Sequence, residues 1–321
     1  MKDRPQWWLG FALLCLGWAA CLPTSSFQPT LNPTRMPVGN ATIEVQATTP
    51  LISLSAPMPT VSLPAEPSPT SQSTSTACSK AGTMVVGALE SERLRHAMDY
   101  RVYLPPCYAD DPDRRYPVLF LIHGQSYTDD QWDRLGADEA AEHFILKGEI
   151  APFLIVMPRD RLWEQPSEDP FGEVLVNELI PLIDRSYRTI PQRFGRAVGG
   201  LSRGAGWAVH LGLKDWQFFG AIGAHSLAIF ESDAPKIERW LDQIPPAALP
   251  RIFLDIGDRD RPPILQSAIW FEQLLTRKRI PHEWYLYTGY HHEAYWQAHV
   301  EQYIRWYAAP WSGTEFDIIE P

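Results

Sequence analysis

Cysteine is scarce in this chain: four residues among 321, with no C-x-x-C pair, which removes the common zinc and dithiol redox motifs. No H-E-x-x-H occurs either, so the zinc-hydrolase signature is missing. Basic blocks are absent. The 28 Lys plus Arg face 38 Asp plus Glu, a formal net charge of -10, and such a surface gives no footprint for a nucleic-acid groove. No internal repeat is evident, which sets solenoids and propellers aside. What the chain does have is a hydrophobic content of 45%, with 13 Trp, 12 Tyr and 13 Phe, enough for a sizeable core.

The first residues read as an export signal. Lys2 and Arg4 precede the uncharged run WWLGFALLCLGWAAC, which closes on Ala19, Ala20 and Cys21; a positive start, an apolar middle and small residues at the end define a secretory signal. A cysteine directly after Ala20 resembles a bacterial lipobox, although Trp18 stands where Leu is usual, and makes Cys21 the lipidation site. The run is just short of the ~18–20 residues of a membrane span, so an uncleaved anchor is the alternative. On either reading the protein is exported, and its membrane contact is confined to this N-terminal lipid or anchor. Residues 1–21 are therefore assigned to the signal. From 22 to 77, Pro, Ser and Thr exceed half the positions and the only charges are Arg35, Glu44 and Glu66. A segment like this buries too little apolar surface to offset its chain entropy and reads as an extended tether. In an oxidising compartment Cys78 and Cys107, at the start of the folded region, are expected to form a disulfide.

The domain is expected over residues 78–309, with a tail at 310–321. YRVYL (Tyr100–Leu104), PVLFLIH (Pro117–His123), PFLIVM (Pro152–Met157), RAVGGL (Arg196–Leu201), FGAIGA (Phe219–Ala224), RIFLDI (Arg251–Ile256) and EWYLYT (Glu283–Thr288) read as strands. Several are near-continuous apolar runs, as strands buried on both faces must be. DEAAEHFILKG, EVLVNELIPLIDRSY and QSAIWFEQLLTRK read as helices between them. The alternation predicts an α/β fold, a mostly parallel central sheet with helices on both faces.

Gly200-Leu201-Ser202-Arg203-Gly204 is a G-x-S-x-G placed between the strand RAVGGL and the helical RGAGWAVHLGL. That is the setting of a nucleophile elbow, where flanking glycines avoid collision with neighbouring backbone. Serine is a weak nucleophile and needs a histidine base that a carboxylate orients. Asp258 and Asp260 follow one strand, and His291 and His292 follow the next, in the chain order Ser, acid, His of α/β-hydrolases. An oxyanion hole is expected from the backbone N–H of Arg203 and of Gln125 or Ser126, in the loop after PVLFLIH. His123 reads as a structural histidine of that loop.

YPVLFLIHG, VLVNELIPLIDRSYRTI, RAVGGLSRGAGWAV and GYHHEAYWQAHV together resemble the putative-esterase family of α/β-hydrolases, which includes esterase D, enterochelin, feruloyl and acetylxylan esterases and mycolyltransferases. The resemblance covers about Gly82 to Ala309. It implies an α/β-hydrolase fold without a large cap domain, and a serine carboxylic-ester hydrolase that works through an acyl-enzyme. The implied substrate is a small or carbohydrate-linked ester, with no cofactor and no metal. The family's Gly-x-His with a Trp five positions on maps to Gly289, His291 and Trp296, and its acid three residues after a strand-ending glycine maps to Asp260. Asp258 and His292 stand as the alternatives. Two positions depart from the pattern: Ala205 replaces a frequent glycine, and Tyr290 replaces a small residue at the mouth of the site.

Three rivals follow from the same residues. His282, His291, His292 and Glu293 are close in sequence but lack ligand spacing. A non-catalytic binding module on a hydrolase scaffold would not need all three triad residues. An acyltransferase shares the acyl-enzyme and differs only in the acceptor. Trp132, Trp163, Trp207, Trp216 and Trp270 are assigned to packing, with Trp207 facing inward. Arg159-Asp160-Arg161 is read either as substrate-orienting or as a surface salt bridge.

Overall fold

The computed structural model describes residues 80–312. The export signal, Cys21, the tether, Cys78 and the chain beyond Ser312 lie outside the described residues. Among the described residues, no helix is long and apolar enough to cross a membrane.

Eight strands form one sheet: β1 Thr83–Leu89, β2 Met98–Leu104, β3 Val118–Ile122, β4 Leu154–Pro158, β5 Arg196–Leu201, β6 Ala221–His225, β7 Arg251–Gly257 and β8 Glu283–Tyr287. Their order is β1-β2-β4-β3-β5-β6-β7-β8. β1 and β2 pair antiparallel, β2 pairs antiparallel with β4, and all other pairs are parallel. Among the described residues, eight α-helices accompany the sheet: α1 Gln131–Arg134, α2 Ala137–Leu146, α3 Phe171–Val174, α4 Ile180–Ser186, α5 Arg203–Lys214, α6 Ala234–Gln243, α7 Pro262–Lys278 and α8 Glu293–Ala308.

Alternation along the central strands builds two cores. In β3, Val118, Phe120 and Ile122 pack with Trp207 of α5 and Phe271 of α7. Leu119 and Leu121 point the other way, into a core with Phe144 of α2 and Tyr303 of α8. The strands read as apolar runs, β3 to β6, are the ones buried at every position. β1 went unread although TMVVGAL is itself an apolar run; it lies at the antiparallel edge of the sheet, half exposed and with no residue fully buried. EVLVNELIPLIDRSY is not one α-helix: a π-helical turn, Leu175–Leu179, separates α3 from α4. Pro181 at the start of α4 explains the break, since it has no N–H to continue the ladder. The packed chain also runs past Ala309: Trp311 is buried against Phe153, and its indole N–H donates to the Phe194 carbonyl at 3.0 Å.

Candidate active site

The loops after β3, β4, β5, β7 and β8 gather at the carboxyl edge of the parallel strands, where ligands enter α/β sheets. Ser202 sits between β5 and α5 with φ 56° and ψ -118°. A non-glycine residue in that region costs on the order of 1–3 kcal/mol, and the surroundings enforce it. A Cβ on Gly204 would lie 2.6 Å from the His123 carbonyl and nearer still to that of Ile122. One on Gly200 would lie 2.9 Å from the Ala205 nitrogen and nearer to the Gly204 carbonyl. Both clashes are with backbone, which gives way only at a cost, so the turn favours glycine on both flanks. The Ser202 N–H donates to the His225 carbonyl at 2.8 Å, which ties the elbow to β6.

His291 Nε2 is 2.9 Å from Ser202 Oγ, and its Nδ1 is 2.8 Å from Asp260 Oδ1 and 3.0 Å from Oδ2. Asp260 is buried, and its Oδ1 also accepts the Arg261 N–H at 2.6 Å. The Trp296 ring meets the His291 imidazole edge-on at 5.0 Å, and its indole N–H donates to Ser226 Oγ at 3.1 Å.

The alternative residues sit elsewhere. Asp258 Oδ1 accepts the Gly289 N–H at 3.0 Å, so it braces the histidine loop. His292 is exposed, its ring parallel to that of Tyr290 at 6.4 Å, and it begins α8 in extended backbone. Glu293 pairs with Arg134 at 3.0 Å, while His282 donates to the Ile280 carbonyl at 2.8 Å; with His291 on Ser202, the four suspected ligands do not converge. Asp133, Asp138 and Glu139 do converge among the described residues, but Arg101 already pairs with Asp133 at 3.1 Å.

Behind the histidine, α8 is anchored by a buried polar network. Asp255 Oδ2 accepts the hydroxyls of Tyr295 and Tyr303, both at 2.7 Å, while Oδ1 pairs with His225 Nδ1 at 2.6 Å. His225 Nε2 meets the Tyr307 hydroxyl at 3.0 Å. Each polar atom of this group has a partner, the condition under which a buried network rigidifies rather than weakens a core.

On the oxyanion side, Arg203 opens α5, so its N–H has no partner within the helix. Gln125 and Ser126 occupy a turn closed by the Tyr127 N–H on the Gly124 carbonyl at 3.2 Å, with φ 70° at Ser126. His123 is buried; its Nδ1 is 2.7 Å from the Gly124 carbonyl and its Nε2 accepts the Asp160 N–H at 2.9 Å. Burial lowers its pKa below the usual histidine value.

The sequence reading missed the role of the Arg203 side chain and left Arg159-Asp160-Arg161 between a substrate-orienting role and a surface salt bridge. Arg159 and Arg161 do form a surface pair with Asp99. Asp160 turns inward instead, accepting from Arg203 Nε at 2.6 Å and from Trp207 Nε1 at 2.9 Å. Arg203 Nη2 also donates to Asp169 at 3.1 Å and to the Glu164 carbonyl at 2.8 Å. One guanidinium thus faces two buried carboxylates. Burial first, and the charge of Asp160 second, push Asp169 up to about 7. Trp132 and Trp207 are core residues as expected, whereas Trp163 is 46% exposed, with φ 57°.

The putative-esterase family model matches residues 91–307, and the chain belongs to that family. A curated endo-1,4-beta-xylanase/feruloyl esterase from Xylanibacter ruminicola is 29% identical over 179 residues, 52% of this chain and 24% of the relative. An esterase from Mycobacterium tuberculosis is 29% identical over 167 residues, 49% of this chain and 34% of the relative. The chain therefore spans at most about a third of the length of these curated relatives. Among solved structures, a ferulic acid esterase superposes with a TM-score of 0.64 at 24% identity, covering 72% of this chain and 99% of that one. The S-formylglutathione hydrolase of Staphylococcus aureus gives 0.57 at 16%, covering 71% and 100%. These likenesses show the α/β-hydrolase fold.

Proposed function

We propose that the protein is an exported serine esterase that hydrolyses carboxylic esters through an acyl-enzyme. The observation that carries this reading is the line from Ser202 Oγ through His291 to Asp260, at 2.9 and 2.8 Å, on a backbone turn held at positive φ. His291 Nε2 takes the Ser202 proton as Oγ attacks the ester carbonyl. Asp260 accepts from Nδ1–H, fixing the tautomer and stabilising the imidazolium. The N–H groups of Arg203 and Gln125 hold the tetrahedral oxyanion, with Ser126 as the alternative donor; one such donor is worth roughly 10²–10³ in kcat. His291 then protonates the leaving alcohol. Water, deprotonated by the same histidine, attacks the acyl-Ser202, and collapse releases the carboxylic acid and free serine.

The proposed substrate is a small or carbohydrate-linked ester, a choice supported by the esterase names of the relatives. Export, a lipid on Cys21, the tether over 22–77 and a Cys78–Cys107 disulfide complete the proposal on the sequence evidence alone. Turnover of nitrophenyl acetate with an initial burst, lost in Ser202→Ala, tests it. If alcohols added to the assay capture most of the acyl group, the protein is an acyltransferase. If folded protein shows neither burst nor turnover, it is a binding module.

A further inference from the structure

The two arms of the oxyanion hole come from loops far apart in sequence, yet one residue touches the supports of both. The Asp160 N–H donates to His123 Nε2 at 2.9 Å, and the Asp160 carboxylate accepts from Arg203 Nε at 2.6 Å. A backbone N–H can only donate and a carbonyl can only accept, so the His123 tautomer is dictated: Nε2 is bare, and Nδ1–H donates to the Gly124 carbonyl at 2.7 Å. That carbonyl belongs to the peptide whose N–H is Gln125. In a trans peptide the two point in opposite directions, so holding the Gly124 oxygen aims the Gln125 N–H. Gly124 is fixed from its other side as well, its N–H donating to Gln131 Oε1 at 2.8 Å.

We infer that His123 and Asp160 are positioning residues that join both oxyanion donors into one hydrogen-bonded chain: Arg203 side chain, Asp160, His123, Gly124 carbonyl, Gln125 N–H. The inference rests on the proposed assignment of Ser202 as nucleophile and of Arg203 and Gln125 as donors. The bonds from Arg203 through Asp160 and His123 to the Gly124 carbonyl are buried, which shields them from exchange with water and lets successive bonds polarise one another, while Gln125 at the end of the chain is exposed. The chain acts on the developing charge, so it affects the transition state more than substrate binding.

The test uses the full chain, a nitrophenyl ester and a trifluoromethyl ketone, whose hemiketal places an oxyanion in the hole. His123→Gln keeps an acceptor near Nε2 but loses the Nδ1 donor. It is expected to lower kcat by about 10- to 100-fold, as for a small misplacement of reacting groups, with KM little changed and the ketone weakened by the same factor. His123→Asn keeps a donor near Nδ1 and is expected to recover most of kcat, although it is the smaller side chain. Activity that instead follows side-chain volume, or ketone affinity unchanged while kcat falls, overturns the chain of bonds. If Ser202→Ala is inactive but His123→Gln turns over like wild type, this inference alone fails. If Ser202→Ala retains activity, the nucleophile assignment fails and this inference with it. Should His123→Gln not fold, histidine ¹⁵N shifts of the wild type at neutral pH decide the matter: an Nδ1–H tautomer at His123 agrees, and an Nε2–H tautomer refutes it.

Discussion

Replacing Asp169 with asparagine should change how stability depends on pH more than it changes stability itself. Arg203 neutralises one of the two buried acids facing it, and burial with the Asp160 charge raises Asp169 from 3.8 to about 7. In the unfolded chain the same carboxyl releases its proton near its ordinary value. Between about pH 4 and 7 the folded state therefore holds a proton that the unfolded state does not, and this group's contribution is lost as pH rises through that window. A tenfold difference in proton affinity between the two states corresponds to ~1.36 kcal/mol, so the rise from 3.8 to about 7 is worth at most ~4 kcal/mol. For a domain of this size that is on the order of 10 °C in melting temperature. Asparagine has no proton to release there. Urea unfolding of wild type and Asp169→Asn at pH 4, 5.5 and 7.5 should show wild type losing stability relative to the variant as pH rises. A difference that stays constant across the three pH values would mean that the two acids and the arginine hold no excess negative charge, and the electrostatic reasoning would be wrong.

Other expectations follow from single contacts. Asp260→Asn should lower kcat by about 10⁴-fold through loss of the anion that fixes the histidine tautomer, whereas Asp258→Asn keeps an acceptor for the Gly289 N–H and should stay within about tenfold; steady-state kinetics on one ester separates them. Gly204→Ala should cost about 1–3 kcal/mol and, by forcing α5 away from the His123 and Ile122 carbonyls, lower kcat far more than a surface Gly→Ala; circular dichroism and melting alongside kinetics check both parts. Tyr303→Phe removes one of two hydroxyls on a fully buried carboxylate, so a loss of about 1–3 kcal/mol is expected in urea unfolding.

The sequence carried the parts of this molecule that local pattern encodes. Strands β3 to β6 were legible because burial on both faces leaves an uninterrupted apolar run; β1 carries such a run too and went unread, since it lies outside the strand–helix alternation, at a half-exposed antiparallel edge. The elbow was legible because its G-x-S-x-G pattern is local, although only Gly200 answers to neighbours within five residues; Gly204 answers to the Ile122 and His123 carbonyls, far earlier in the chain. Long-range partnership was not. Arg203 and Asp160 are 43 residues apart and meet only when β4 lies next to β3 and β3 next to β5. Nothing in Arg159-Asp160-Arg161 tells which of three charges turns inward; the Asp160 N–H on His123 and the buried guanidinium decide it. The choices between Asp258 and Asp260, and between His291 and His292, rested on family resemblance, since adjacent loop residues of equal chemistry differ only in the direction they face.

The measurement that bears most directly on the proposed nucleophile is active-site labelling of the intact protein with a fluorophosphonate, followed by mass spectrometry of the modified peptide. Wild type, Ser202→Ala, His291→Ala and His292→Ala are compared. One label is expected on Ser202, abolished in Ser202→Ala, strongly slowed in His291→Ala and unchanged in His292→Ala. A label on another residue, or folded wild-type protein that takes none, would contradict the serine-esterase mechanism.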